Sequence, residues 1–336
     1  MTRESASDPN LWDQGPLDRG RLESVPTTVP PSRAAVWTNL WLVYLIWGST
    51  YLGIAIAIET AQPLWSMAIR LSGAGALLAL ILALTRGPRA LRVPVREAVS
   101  ASLLGVMMLT GGIGVVALAV RYVPIGVAAL LVATSPLMGV VLRSATGDRP
   151  HVLTWVGIAV GLLGLGLLLR PSSEGFATDR LVWSGLILLG QILWAAGSFL
   201  TPKLRVPRDP LVLVSYEMFF GGLCFFLWSR LINEQVDISV ISTRSWLALA
   251  YLTVAGVVGY GAFTWLITHV PLSLAMTYAY VNPIVALTLG WFVLHQEVSQ
   301  SIVIGGVFTL VGVGLVITGE RSVVRKRTEA ALVDSG

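Results

Sequence analysis

Cysteine and histidine are almost missing from this chain: one Cys, at 224, and three His, at 151, 269 and 295, in 336 residues. A single cysteine inside an apolar run excludes a disulfide framework and a cysteine metal site. The histidines sit apart at the ends of apolar runs, and neither an H-E-x-x-H nor a Walker A pattern occurs, so no metal, cofactor or catalytic constellation is expected. Charge is scarce as well. Only 12% of residues are charged, 55% are hydrophobic and the mean hydropathy is +0.76, far from the composition of a soluble domain. The chain therefore reads as a polytopic membrane protein whose first partner is the lipid bilayer. Its net charge of +5 does not point to nucleic acid, because most basic residues fall in short loops and tails where topology and headgroups account for them.

What is present is a series of apolar runs near the roughly 20 residues that cross a ~30 Å hydrocarbon core. Residues 1–35 are polar and proline-containing, too poor in apolar side chains to offset the entropy of ordering. They read as a disordered cytoplasmic tail rather than a cleavable signal peptide, being long, acidic and without a short apolar stretch near the start. Five spans follow, about 37–58, 63–85, 98–120, 123–142 and 152–169, then five more, about 181–201, 211–231, 246–268, 272–294 and 302–318, and a second tail over 320–336. The expected fold is an all-α membrane protein of ten transmembrane helices.

The second five repeat the first. An offset of 147 residues carries Trp47 to Trp194, Pro63 to Pro210, Arg70 to Glu217, Pro124 to Pro271 and Pro136 to Pro283. The two repeats then cover 37–170 and 181–319. Of the 23 Lys and Arg, 17 lie on one side if the N-terminus is inside, five (Arg121, Arg170, Arg180, Arg230, Arg244) lie on the other, and Arg70 is within a span; basic loops stay in the cytoplasm, so both termini are expected there. Five spans per repeat is an odd number, so the halves must enter the membrane inverted, the arrangement of alternating-access carriers.

The run WGSTYLGIAIAIETAQPLWSMAIRLSGAGALL, from Trp47, resembles the opening of the EamA domain of the drug/metabolite transporter superfamily. YVNPIVALTLGWFVLHQEVS resembles its ninth span with the trailing glutamate, here Glu297; the fourth-span counterpart departs from that pattern, reading Gly147-Asp148. The resemblance covers both repeats and implies a ten-helix exporter of small metabolites or drugs in a bacterial inner membrane. A protein of this kind is expected to work as a monomer on a small-molecule substrate.

Pro136 and Pro283 each remove a helix hydrogen bond, freeing the carbonyls of Val132 and Ala279. Each lies 12 residues from Pro124 or Pro271, a rise of about 18 Å, which puts both breaks near midplane. Thr134 and Ser135 flank one break, and Thr277, Tyr278, Tyr280 and Asn282 the other. Free carbonyls at that depth are tolerated only where protein or a water-filled cavity receives them; a packing kink with Ser and Thr re-bonding locally is the competing reading. Trp47, Thr50 and Tyr51 share a helix face that suits either a cavity wall or a packing seam, and Trp194, Tyr260, Trp265 and Tyr280 are further candidate walls. The glycines at 157, 161, 164 and 166 and at 305, 306, 312 and 314 read as helix packing, as do Gly75 and Gly222.

Intramembrane charge is costly and therefore informative. Arg70 and Glu217 lie seven residues in from opposite faces, so about 9 Å of depth separates them. Nearer partners suggest candidate gating pairs: Glu59 with Arg70 at one mouth, and Glu217 with Lys203 or Arg205 at the other. A channel, an uptake permease and a membrane-embedded enzyme are the alternatives to a carrier.

Overall fold

The structure is a computed structural model that describes residues 31–145, 147, 150–169, 178–270 and 272–333, and every regular element among them is helical. In order these are α1 (Arg33–Ala57), α2 (Pro63–Arg86), α3 (Val95–Gly105), a π-helical stretch (Val106–Ile113), α4 (Gly114–Ala119), α5 (Ile125–Val132), α6 (Ser135–Ala145) and α7 (Val152–Leu168). The second half has α8 (Thr178–Leu200), α9 (Pro210–Leu231), α10 (Thr243–His269), α11 (Leu272–Ala275), α12 (Tyr278–Leu294) and α13 (Gln300–Val333). Among the described residues eight helices are long and apolar enough to cross a membrane, and Val152–Leu168 and Tyr278–Leu294 are shorter apolar helices.

The helices start where the chain offers caps. Ser32 accepts from the Ala35 amide at 3.1 Å, Asp209 from Leu211 at 2.9 Å and Ser242 from Ser245 at 3.1 Å, each satisfying one of the orphan donors of a first turn. Proline opens α2 and α9, where its missing N–H costs nothing. Two helix bounds differ from the expected ones: the first helix begins at Arg33, within 1–35, and the last runs on to Val333, through 320–336. Residues 1–30 lie outside the described residues. The expected fourth and ninth spans are each interrupted, but at Ala133–Thr134 and Met276–Thr277 rather than at the prolines themselves.

The exterior is apolar, and the interior, mostly apolar as well, holds a minority of buried polar side chains. Leu231 is 81% exposed, and Leu84, Leu103, Leu163 and Phe292 are also exposed, whereas Arg70, Thr110, Gln191, Ser215 and Asn282 are buried. Lipid tails are as apolar as leucine, so association must come from close packing and internal hydrogen bonds. The helices meet across the two halves: α2 with α9, α7 with α13, α1 with α10 and α12, and α8 with the π-helical stretch, α4, α5 and α6. The counterpart helices α2 and α9 run antiparallel, Gly75 facing Ser215 while Ser72 faces Gly222, and so do α7 and α13, Gly157 facing Gly312 while Gly164 faces Gly305. A Cβ on Gly75 would fall 2.8 Å from the Ser215 carbonyl oxygen, and one on Gly222 would fall 3.0 Å from Ser72 Cα. Only backbone can face backbone at these two crossings.

Candidate functional site

A cavity of about 590 Å³ opens where the two halves meet. Pro136 sits in the first turn of α6, where a proline is tolerated. The carbonyl it would have engaged is not free, contrary to expectation: Ser135 Oγ lies 2.6 Å from Val132 O and 2.9 Å from Gln191 Oε1, one hydroxyl proton shared between two acceptors. Thr134 is fully buried and donates to Leu131 O at 2.6 Å. Pro283 lies inside α12, six residues after the Met276–Thr277 break rather than beside it. At that break Thr277 meets the hydroxyl of Tyr44 from α1. Gln191 and Tyr44 stand 147 residues apart, so each broken span is tied by a hydrogen bond to the first helix of the opposite half. Pro271 and Asp148 lie outside the described residues. The amide of Gln296, beside Glu297, is the group that acts as a cap here, accepting from the Ile125 N–H at 3.0 Å.

Trp47 is the centre of the aromatic wall. Its ring lies 5.3 Å from Tyr260, 5.1 Å from Phe263 and 4.7 Å, edge-on, from Tyr278, separations at which aromatic pairs attract beyond their buried area. The indole fits because Gly259 has no side chain: a Cβ there would fall 3.0 Å from Trp47 Cδ1. Its counterpart Trp194 lies against Gly112 in the π-helical stretch, and 112 and 259 are again 147 apart. Such wide turns occur mostly as local features and often at functional sites.

Of the residues singled out from sequence, Trp47, Thr50, Tyr51, Ser135, Pro136, Tyr278, Asn282 and Pro283 line the cavity, with Trp194 and Tyr260. Thr134 and Tyr280 do not; Tyr280 packs beside Leu137, Val140 and Val313, and Trp265 stacks on His269 at 4.3 Å. Arg70, placed earlier at a mouth, lines the cavity itself and is 8% exposed. Gln191, 2% exposed, was missed; the signal available was an amide in the middle of an apolar run at the position equivalent to Tyr44.

The gating pairs are corrected. Glu59 Oε1 lies 3.4 Å from Arg244 Nη2, not on Arg70. Among the described residues Arg70 has no carboxylate within ion-pair reach, its Nη1 approaching only Met67 Sδ at 3.7 Å. Lys203 lies over the Phe199 ring at 3.4 Å, so it caps an aromatic face instead of Glu217; Arg205 is exposed and Glu217 half-buried, with no ion pair between them. Distance along the chain suggested these partners, but the charged ends turned to helix termini and neighbouring spans.

A sequence profile, the EamA-like transporter family, matches residues 36–170 and again 181–318. The chain belongs to the EamA-like transporter family. Among EamA-like relatives, the uncharacterized inner membrane transporter YedA of Escherichia coli K12 is 36% identical over 253 residues, 75% of this chain and 80% of its own. A chloroplastic WAT1-related protein of Arabidopsis thaliana is 25% identical over 288 residues, 83% of this chain and 69% of its own. A crystal structure of a protein 19% identical superposes with a TM-score of 0.60 over 86% of this chain and 99% of that one, which shows a common fold. The family and the Escherichia coli relative are named as transporters, and this EamA-like chain is a multi-pass membrane protein of that family.

Proposed function

We propose that the protein exports small metabolites or drugs across the cytoplasmic membrane by alternating access, with ten spans in two inverted five-helix repeats and both termini in the cytoplasm. One observation carries this reading. Nine pairs of cavity-lining residues stand 147 apart, among them Trp47 and Trp194, Ile113 and Tyr260, Val132 and Ala279. A cavity drawn so evenly from two repeats lies on the axis that relates them, where a carrier that rocks one repeat against the other keeps its substrate site. The antiparallel pairing of counterpart helices supports the inversion. Three of the glycines of α7 match α13 at an offset of 148 instead: Gly157 with Gly305, Gly164 with Gly312 and Gly166 with Gly314. One inserted residue ahead of α13 accounts for the change.

Two experiments test the reading. A tolerance screen of cells expressing the protein against cells lacking it identifies exported compounds, and Ser135→Trp and Asn282→Trp, each adding an indole to the cavity wall, are expected to abolish that tolerance at equal membrane abundance. Tolerance at the wild-type level in both variants would place the route elsewhere, and a flux that fails to saturate would replace the carrier by a channel. For topology, Val333→Cys in a Cys224→Ser background is expected to react with an impermeant maleimide only after permeabilisation. Labelling in intact cells would reverse the orientation.

A further inference from the structure

The cavity contains a cation without a counter-charge. Among the described residues Arg70 is the one formally charged residue in its lining, is 8% exposed, and finds only the Met67 sulfur, 3.7 Å from Nη1. An uncompensated charge at low dielectric is strongly unfavourable. Guanidinium is a planar fork that binds a carboxylate or similar oxyanion through two parallel hydrogen bonds. Most of the remaining wall is apolar or aromatic, and 590 Å³ falls in the range of ~300–1,000 Å³ that holds small organic molecules.

We propose that Arg70 anchors the charged end of the substrate, and that the cavity takes a flat, apolar monoanion: a carboxylate or comparable oxyanion on the guanidinium, its body among Trp47, Tyr51, Trp194 and Tyr260. The same arrangement rejects the other charge classes. A cation of equal shape meets like charge, and a neutral isostere leaves the guanidinium unpaired. Glu217 on the adjacent helix α9 is the nearest rival for the role of counter-ion; it lies outside the lining and forms no ion pair with Arg70 among the described residues. The inference rests on the cavity being the transport site.

The test uses the full-length protein in detergent micelles and three probes of nearly one shape: phenylacetate, phenylacetamide and phenethylammonium. Binding by calorimetry and the rise in thermal midpoint are expected to favour phenylacetate roughly tenfold or more over the amide, with no response to the cation. Arg70→Gln is expected to bring anion and amide to parity, Arg70→Lys to retain part of the preference, Glu217→Gln to leave it in place, and Ser135→Trp to remove all binding. The wild-type comparison alone decides the matter if the Arg70 variants fail to fold. Amide or cation binding as tight as the anion, and blocked by Ser135→Trp, overturns the anionic substrate while leaving the cavity as the site. Phenylacetate binding that survives Ser135→Trp, absence of phenylacetate binding, or a preference that appears only in Glu217→Gln also overturns it. Loss of the transport reading itself is read separately, from tolerance in the Ser135→Trp and Asn282→Trp cells.

Discussion

Gly164→Leu is expected to leave no folded protein, whereas Gly166→Leu, two residues along the same helix, is expected to be nearly neutral. A Cβ on Gly164 would fall 2.8 Å from the Gly305 carbonyl oxygen and closer still to the Thr309 nitrogen, while one on Gly166 would have no neighbour within 4 Å. The obstacles at Gly164 include, beside the Thr309 hydroxyl, two main-chain atoms of α13, which cannot rotate away, so α7 and α13 must separate. Overpacking a close-packed interior costs ~1–3 kcal/mol when side chains can adjust, and more when they cannot. The penalty is compounded here because close backbone approach is itself what holds membrane helices together. Size-exclusion profiles and thermal midpoints of the two variants in detergent check this. A monodisperse Gly164→Leu protein with a wild-type midpoint would mean that α7 and α13 do not pack as described.

The contrast between these two glycines also marks how far the sequence can be read. Both belong to one small-residue cluster, and composition assigns that cluster to packing. Which member faces the partner depends on helix rotation, and a run apolar on all sides carries no amphipathic signal to set it. Span positions were legible to within a few residues because hydrocarbon thickness sets them. The cavity was legible through Trp47, Ser135, Pro136, Asn282 and Pro283, since polar and helix-breaking residues in an apolar run announce themselves. The break at Met276–Thr277 was not: proline marks a missing hydrogen bond, but where the helix yields depends on what receives the free groups, here the Thr277 hydroxyl on the Leu274 carbonyl, itself held by the Tyr44 hydroxyl from another span. Arg70 looked like a vestibule charge because depth was counted from Pro63 alone, and its direction toward the cavity became visible only once α2 was packed on α9.

Glu234→Ala is expected to open one end of the bundle. The two halves are joined at that end by a set of polar links. Glu234, after α9, accepts from the first-turn amides of α2, Leu64 at 3.1 Å and Trp65 at 3.0 Å, and its Oε2 is held by Ser229 at 2.7 Å. Beside it Glu59 meets Arg244 at 3.4 Å, and Thr60 donates to Ser245 at 2.9 Å. At the opposite end Arg86 pairs with Asp209, the residue that caps α9, and Tyr216 donates to the Leu91 carbonyl at 2.9 Å. Each end thus ties α2 to the α9 side through a carboxylate of the second half and a helix N-terminus, that of α2 at one end and that of α9 at the other. Alternating access requires the links at one end to part while the others hold. A carboxylate on helix-terminal amides is favoured by charge and dipole together, and hydrogen bonds to a charged group are worth ~1.5–3 kcal/mol each. Glu234 is half-buried, so we count one such bond, which corresponds to a shift of roughly tenfold in the population open at this end. With Ile54→Cys as a reporter in the cavity wall and Cys224→Ser as background, the rate of modification by an impermeant maleimide from the Glu234 side is expected to rise by that factor in Glu234→Ala and less in Glu234→Gln. Arg86→Ala is expected to lower it, because weakening the far end favours the state in which this end is shut. An unchanged rate in Glu234→Ala, or a change of the same sign in both variants, would mean that the two sets of links do not oppose one another.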